Sequence, residues 1–174
     1  MVGKAYQMNR DKLYQTRYLA GCVRRYHTWP MIKEQTVGHH CWRVATIFVE
    51  VFGMPRAEVL YYCLHHDSGE LWAGDIPYGT KRFIPGLKSC MDHAEEIGRT
   101  KLAIHLPEIT KEESVRIKIC DLLEMHETGK YEMNLGNKYA EPIVQDTMNA
   151  AMAYAKEACM SQHVEEWLLQ QGSL

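Results

Sequence analysis

The chain has 174 residues, enough for one domain with a substantial core. Its net charge of −2 excludes an overall positive field that would draw it to nucleic acid polymers, and no apolar run approaches the roughly 20 residues needed to span a membrane. The six cysteines are scattered without a Cys-x-x-Cys pair, and Met1-Val2-Gly3-Lys4-Ala5-Tyr6-Gln7 lacks a signal-peptide core, so the expected setting is a reducing cytoplasm with free thiols.

Residues 9–24 read as a first helix, with Leu13, Leu19 and Val23 among its apolar positions. Arg24-Arg25-Tyr26-His27-Thr28-Trp29-Pro30 is too irregular to continue it, and Pro30 biases Trp29 away from helical geometry. Such a loop is either a surface turn with packing aromatics or a grip for an anionic, ring-bearing ligand. Thr36 is a suitable N-cap for a helix over 37–52, whose Val37, Cys41, Val44, Phe48 and Val51 form a buried stripe. His40 lies beside that stripe, while His39 points about 100° away. A histidine placed like His40 is a hydrogen-bonded core residue or a ligand.

Gly53 ends this helix, and Pro55 opens the next, over about 55–66, which buries Leu60, Cys63 and Leu64. Its end delivers His66 and Asp67. Glu70 follows three residues after Asp67, and Asp75 stands just before Ile76-Pro77. Imidazole nitrogen and carboxylate oxygen together suit a divalent metal that works on water and phosphate. Residues 73–88, with Gly74, Pro77, Gly79, Pro85 and Gly86, read as a loop carrying Lys81 and Arg82. A helix over 89–105 follows, with a solvated charged face. Thr110-Lys111-Glu112-Glu113 is a capping box that opens a helix to about residue 127. There Asp121 shares a stripe with Ile117 and Met125, so it is paired, bound to a metal or at the solvent edge. Residues 138–170 form one long helix or two shorter ones with a break at Pro142. The architecture is all-α.

His40, His66, Asp67 and Asp121 are the candidate metal ligands, drawn from three helices in the order H…HD…D. This pattern resembles the HD-domain metal-dependent phosphohydrolases over roughly residues 20–130, within a single domain over 1–174. Arg25-Tyr26-His27-Thr28-Trp29-Pro30, Gln35-Thr36-Val37-Gly38-His39-His40, His66-Asp67-Ser68-Gly69-Glu70 and Gly74-Asp75-Ile76-Pro77-Tyr78-Gly79-Thr80-Lys81 are similar to the bacterial 5′-deoxynucleotidases and to phage dATP triphosphohydrolases. One departure is His39, where these families commonly have Glu.

The resemblance implies an HD-domain helical bundle that binds a divalent metal ion such as Zn, Co or Mn, with room for a second metal at the phosphates. It implies that Glu70 and Asp75 orient or deprotonate the attacking water, that Arg25 and Lys81 neutralise phosphates, and that Tyr26 packs on the sugar and excludes a 2′-hydroxyl. The implied partner is a deoxynucleotide rather than a nucleic acid polymer or a membrane, and relatives form homo-oligomers, dimers or rings of dimers. The wording of Arg25 to Pro30 and Tyr78 to Arg82 favours a dATP triphosphohydrolase. In the phage group that activity depletes dATP in the host cytoplasm to the benefit of a genome built with 2-aminoadenine. The alternatives are a 5′-deoxynucleotidase acting on dNMPs and a non-catalytic nucleotide-sensing HD module. A di-metal storage bundle would need Glu-x-x-His pairs on facing helices, and none is placed so.

Overall fold

The computed structural model describes residues 10–76, 80 and 83–171. Lys81, with Pro77, Tyr78, Gly79 and Arg82, lies outside the described residues. Among those described there is no strand; Arg24 and Thr36 form an isolated antiparallel bridge.

Helix α1 spans Arg10–Gly21 and ends before the expected residue 24. The reason is the bridge: the N–H of Arg25 bonds to Gln35 O and that of Val37 to Val23 O, which pulls the chain out of the helix and into a closed loop. Helix α2, Val37–Phe52, has the expected bounds, and Thr36 Oγ1 accepts from the N–H of His39. Its stripe is buried as the spacing requires, with Val44, Ile47 and Phe48 at 2 % exposure or less. Helix α3 is Ala57–His65 rather than 55–66, because Arg56 is extended and serves as N-cap, which leaves Pro55 outside the helix. His66 caps its C-terminal end, and the chain then turns through Asp67 and Ser68 into a single-turn helix α4, Glu70–Ala73.

Helix α5, Leu87–Lys101, stops short of the expected 105. Ala103 takes a left-handed φ of 50°, and the N–H of Ile104 turns back to Arg99 O. Helix α6, Lys111–Asn134, begins with the predicted capping box and runs well past residue 127. Gly129 does not break it: a Cβ there would stand 2.8 Å from Val144 Cγ2, so the glycine is the contact point with the next helix. After a 3-10 turn at Lys138–Ala140, α7 runs over Glu141–Glu157 and α8 over Ser161–Gln171. Pro142 sits in the first turn of α7, where its missing N–H costs nothing, and the break falls instead at Ala158 to Met160, with Cys159 at φ 58°.

Helix α6 packs along α7 and against α2, and α2 also touches α1, α3 and α8. The main core is one cluster drawn from α2, α3, α6, α7 and α8, including Phe48, Val59, Ile119, Leu123, Ala151 and Val164. This arrangement brings the inner face of α2, the end of α3 and the middle of α6 to a common point. All six cysteines are free. No helix among the described residues is long and apolar enough to cross a membrane.

Candidate active site

The point where α2, α3 and α6 meet holds His40, His66 and Asp67, whose ligand atoms all lie within 4.8 Å of one another. His40 Nε2 is 3.4 Å from Asp67 Oδ2, and His66 Nε2 is 3.5 Å from Asp67 Oδ1. Two ligands that share one ion at bond lengths of about 2.0–2.2 Å stand roughly 3–3.5 Å apart. The tautomers also fit. His66 Nδ1 is 2.8 Å from the carbonyl of Cys63, which can only accept, so Nδ1 carries the proton and Nε2 a lone pair. His40 Nδ1 is 2.6 Å from the carboxylate of Glu124. Both Nε2 atoms are buried with no hydrogen-bond partner. Two fully desolvated lone pairs converging on a carboxylate are costly unless a cation or proton sits between them, so these residues fit a divalent metal.

Asp121 stands beside this group rather than inside it. Its Oδ1 is 3.4 Å from His40 Nε2, while its Oδ2 accepts from Lys118 Nζ at 2.6 Å. Asp121 is therefore paired, one of the outcomes its place on the α6 stripe allowed, and keeps one oxygen facing the centre.

The electrostatics follow from this packing. Burial and Arg25 pull the His40 imidazole down, but Glu124 and Asp67 raise it to about 9. His66 reaches about 9 as well, burial being outweighed by Asp67 and Cys41. Burial would raise Asp67, yet His66 and His40 hold it well below the usual carboxylate range. A centre that draws in protons to balance its carboxylates is one that exchanges them for a divalent cation. Glu70 goes the other way. It is 3 % exposed, and burial together with Asp67 and Asp75 pushes it up to about 9. Its Oε2 is buried without a partner.

A cavity of about 460 Å³ opens beside the centre. Arg25, Asp67, Glu70, Asp75, Glu95 and Asp121 line its polar side, Lys88 paired with Asp92 and Lys118 paired with Asp121 bring cations to it, and Leu122, Met125 and Ala150 add apolar wall. It is of a size to take a small organic ligand. Arg25 is turned inward from its loop. Its Nη1 lies 2.6 Å from His40 Nδ1, 2.9 Å from Gln35 Oε1 and 3.1 Å from Glu124 Oε2, and Nε is buried without a partner. Asp75 Oδ2 accepts from the N–H of Tyr26 at 3.0 Å, which holds Tyr26 at a left-handed φ of 56°. The Tyr26 ring lies 5.3 Å from the Arg25 guanidinium carbon, and its hydroxyl is buried with no partner. Tyr26 is not among the residues lining the cavity.

Sequence reasoning passed over Glu124, Gln35 and Lys118. Glu124 had a signal: it lies three residues after Asp121, hence on the same face of α6. Lys118 lies three residues before Asp121 and had the same signal. Gln35 opened the Gln35-to-His40 wording but with no role attached, since only the loop closure brings its amide to Glu124 Oε1 and Thr128 Oγ1. His39 is exposed and stacks obliquely on Trp42, away from the centre, as its place on the helix required. A second cavity, about 540 Å³, opens on the far side of Glu124 between α2 and α6 and includes none of His40, His66 and Asp67 in its lining.

The family model described as 5′-deoxynucleotidase YfbR-like matches residues 19–160. No curated protein matches the chain. Among solved structures, the HD phosphohydrolase of cyanophage S-2L (DatZ), bound to dA and one catalytic Zn2+ ion, superposes with a TM-score of 0.70 at 20% identity, covering 95% of each chain. An HD-domain phosphohydrolase from Listeria innocua superposes with a TM-score of 0.73 at 18% identity, covering 96% of this chain and 91% of its own. At these identities the likeness is one of fold.

Proposed function

The chain belongs to the YfbR-like 5′-deoxynucleotidases, a branch of the HD-domain phosphohydrolases, and from that premise we propose that it hydrolyses a deoxynucleotide; the substrate we favour is dATP, converted to deoxyadenosine and triphosphate. The observation that carries the reading is the pair of buried, unpartnered Nε2 atoms of His40 and His66 over Asp67, beside a cavity lined by Arg25 and Glu70. His40, His66 and Asp67, with Asp121, would hold the metal, which when bound supplies a Lewis acid for a phosphate oxygen and a more acidic water.

The chain's own groups do the rest. Water adds to the α-phosphorus, the bond from that phosphorus to the 5′ oxygen breaks, and a proton ends on the leaving oxygen. Glu70, unpartnered at Oε2 and lining the cavity, orients the attacking water and takes its proton in the ionised form, which a cation in the centre would favour over the neutral form that burial and its carboxylate neighbours impose; such a group is typically worth on the order of 10²–10⁴ in rate. Asp75 positions the Arg25–Tyr26 turn through the Tyr26 N–H and adds a carboxylate to the same wall. Arg25 offsets phosphate charge, with Lys88 and Lys118, paired with Asp92 and Asp121 in the same lining, adding to it, and Lys81 belongs to the same group by its place in the motif. Tyr26 does not line the cavity itself; in this reading it selects against a 2′-hydroxyl through its packing on Arg25, which does.

The fit of a dA-bound relative over 95% of both chains supports an adenine deoxynucleotide, and the substrate would be met in the cytoplasm, of the host if the chain is phage-encoded. The whole chain acts as one HD domain in a homodimer or ring of dimers. The family description favours a second reading, a 5′-deoxynucleotidase acting on dNMPs. Incubation with dATP and with dAMP separates them: inorganic triphosphate from dATP supports the first, orthophosphate from dAMP alone the second. Stoichiometric nucleotide binding without either product would leave a sensing module.

A further inference from the structure

Glu124 is 1 % exposed in the middle of α6, and every hydrogen-bonding contact of its carboxylate is to a group from the loop, from α2 or from its own helix. Oε1 accepts from Gln35 Nε2 and from Thr128 Oγ1 at 3.0 Å. Oε2 lies 2.6 Å from His40 Nδ1 and 3.1 Å from Arg25 Nη1. The carboxylate is thus clamped on one side and presents its other oxygen to the ring nitrogen opposite the one that faces Asp67 and Asp121. Arg25 Nη1 lies 2.6 Å from the same Nδ1 and can only donate, whereas an ionised carboxylate can only accept; with Nε2 given to a metal the proton belongs on Nδ1, and Glu124 is then the acceptor that holds it there against Arg25. Gln35 and Thr128 in turn prevent the carboxylate from rotating away.

We propose that Glu124 is the positioning residue of the metal centre: it locks His40 as the Nδ1–H tautomer and aims the Nε2 lone pair at the ion. It also ties Arg25 to the same oxygen, so the cationic wall of the cavity and the orientation of His40 share one anchor. The inference rests on the reading of His40, His66 and Asp67 as a metal site. A partner that orients a ligating histidine is commonly worth 10–100-fold in metal affinity.

The test compares two equally buried carboxylates of α6. Glu132 accepts from the N–H groups of Ile32 and Lys33 and from Asn137 Nδ2, and touches neither histidine of the centre. Affinities for Zn2+ and Co2+ are measured by competition with a chromophoric chelator, and the Co2+ absorption band is recorded for each protein. Glu124→Gln should bind about 10–100-fold more weakly with a shifted Co2+ band, whereas Glu132→Gln should lose stability but keep the wild-type affinity and band. Equal affinity in Glu124→Gln and wild type would overturn the proposal, as would an equal loss in both variants. Should Glu124→Gln not fold, heteronuclear NMR of the imidazole nitrogens in wild-type protein decides. His40 protonated at Nδ1 and coupled to Cd2+ through Nε2 supports the proposal, and ligation through Nδ1 refutes it. Wild-type protein that binds none of these ions would instead defeat the metal reading itself.

Discussion

Gly69 and Gly98 bring the turn after His66 and Asp67 into direct backbone contact with α5. A Cβ on Gly98 would stand 2.6 Å from Gly69 O, and one on Gly69 would stand 2.2 Å from Glu95 O. Arg99 Nη1 adds a hydrogen bond to His66 O at 2.7 Å. The turn that carries Asp67 and Glu70 is therefore held from behind by a helix that supplies no metal ligand. Gly98→Ala should push the two backbones apart and lower stability by about 1–3 kcal/mol, the usual cost of overpacking. It should lower turnover as well, because Glu70 follows Gly69 directly. Urea unfolding and steady-state rates measured together check this, and an unchanged midpoint would contradict the contact.

Glu70→Ala should retain the metal and bind dATP, yet lose turnover by on the order of 10²–10⁴-fold. A group that acts on the attacking water is felt mainly in the transition state, so kcat falls while substrate affinity barely moves. Calorimetric binding of dATP paired with single-turnover hydrolysis reads both quantities. Near-wild-type turnover would exclude the role, and lost metal would move Glu70 into the ligand set.

Asp67 bridges both histidines, whereas Asp121 approaches His40 alone and shares its other oxygen with Lys118. Asp67→Ala and Asp121→Ala are both expected to lose most bound metal and nearly all activity while staying helical, with Asp67→Ala the more severe. Elemental analysis against circular dichroism provides the comparison. Full metal content in Asp121→Ala would remove Asp121 from the ligand set.

Tyr26 is held by Asp75 with its hydroxyl buried and unpartnered. Tyr26→Phe should therefore cost the fold nothing, while Tyr26→Ala narrows the preference for dATP over ATP, with roughly 10–200-fold at stake for a packed side chain. The ratio of kcat/KM for the two nucleotides measures it; an unchanged ratio in Tyr26→Ala would acquit Tyr26 as the filter.

Far from the centre, Glu50 on α2 accepts from Trp167 Nε1 of α8 at 2.9 Å and pairs with Arg43. Burial would raise Glu50, but these two donors hold it below its usual 4.5. A carboxylate lowered on folding adds stability that is complete above its unfolded pKa and lost as pH falls through the folded value. Acid below about pH 4.5 should thus loosen α8, and Glu50→Gln should flatten that part of the pH dependence. Emission of the buried Trp167, followed on acidification in both proteins, tests the difference.

Local features were legible in the sequence because their causes lie within one helical turn. The Thr36 cap, the α2 stripe with His40 at its edge and the Thr110–Glu113 box each follow from spacing and hydrogen-bond chemistry over a few residues. Helix ends were less so: α1 stops where Arg25 bonds to Gln35, and α6 continues through Gly129 because α7 packs there.

By itself the sequence determined an all-α chain and an HD pattern, and it offered His40, His66, Asp67 and Asp121 as candidate ligands, of which the structure brings the first three together and sets Asp121 beside them. Tertiary structure alone decided how those residues are supported. Glu124 reaches back to His40 and Arg25 across 84 and 99 positions, and Tyr26 meets Asp75 across 49. Such pairs carry no periodic signal, because they depend on where helices cross and on which backbones come within touching distance, as at Gly69 and Gly98. A caged carboxylate looks like any other charged residue of an amphipathic helix until the facing helix is in place.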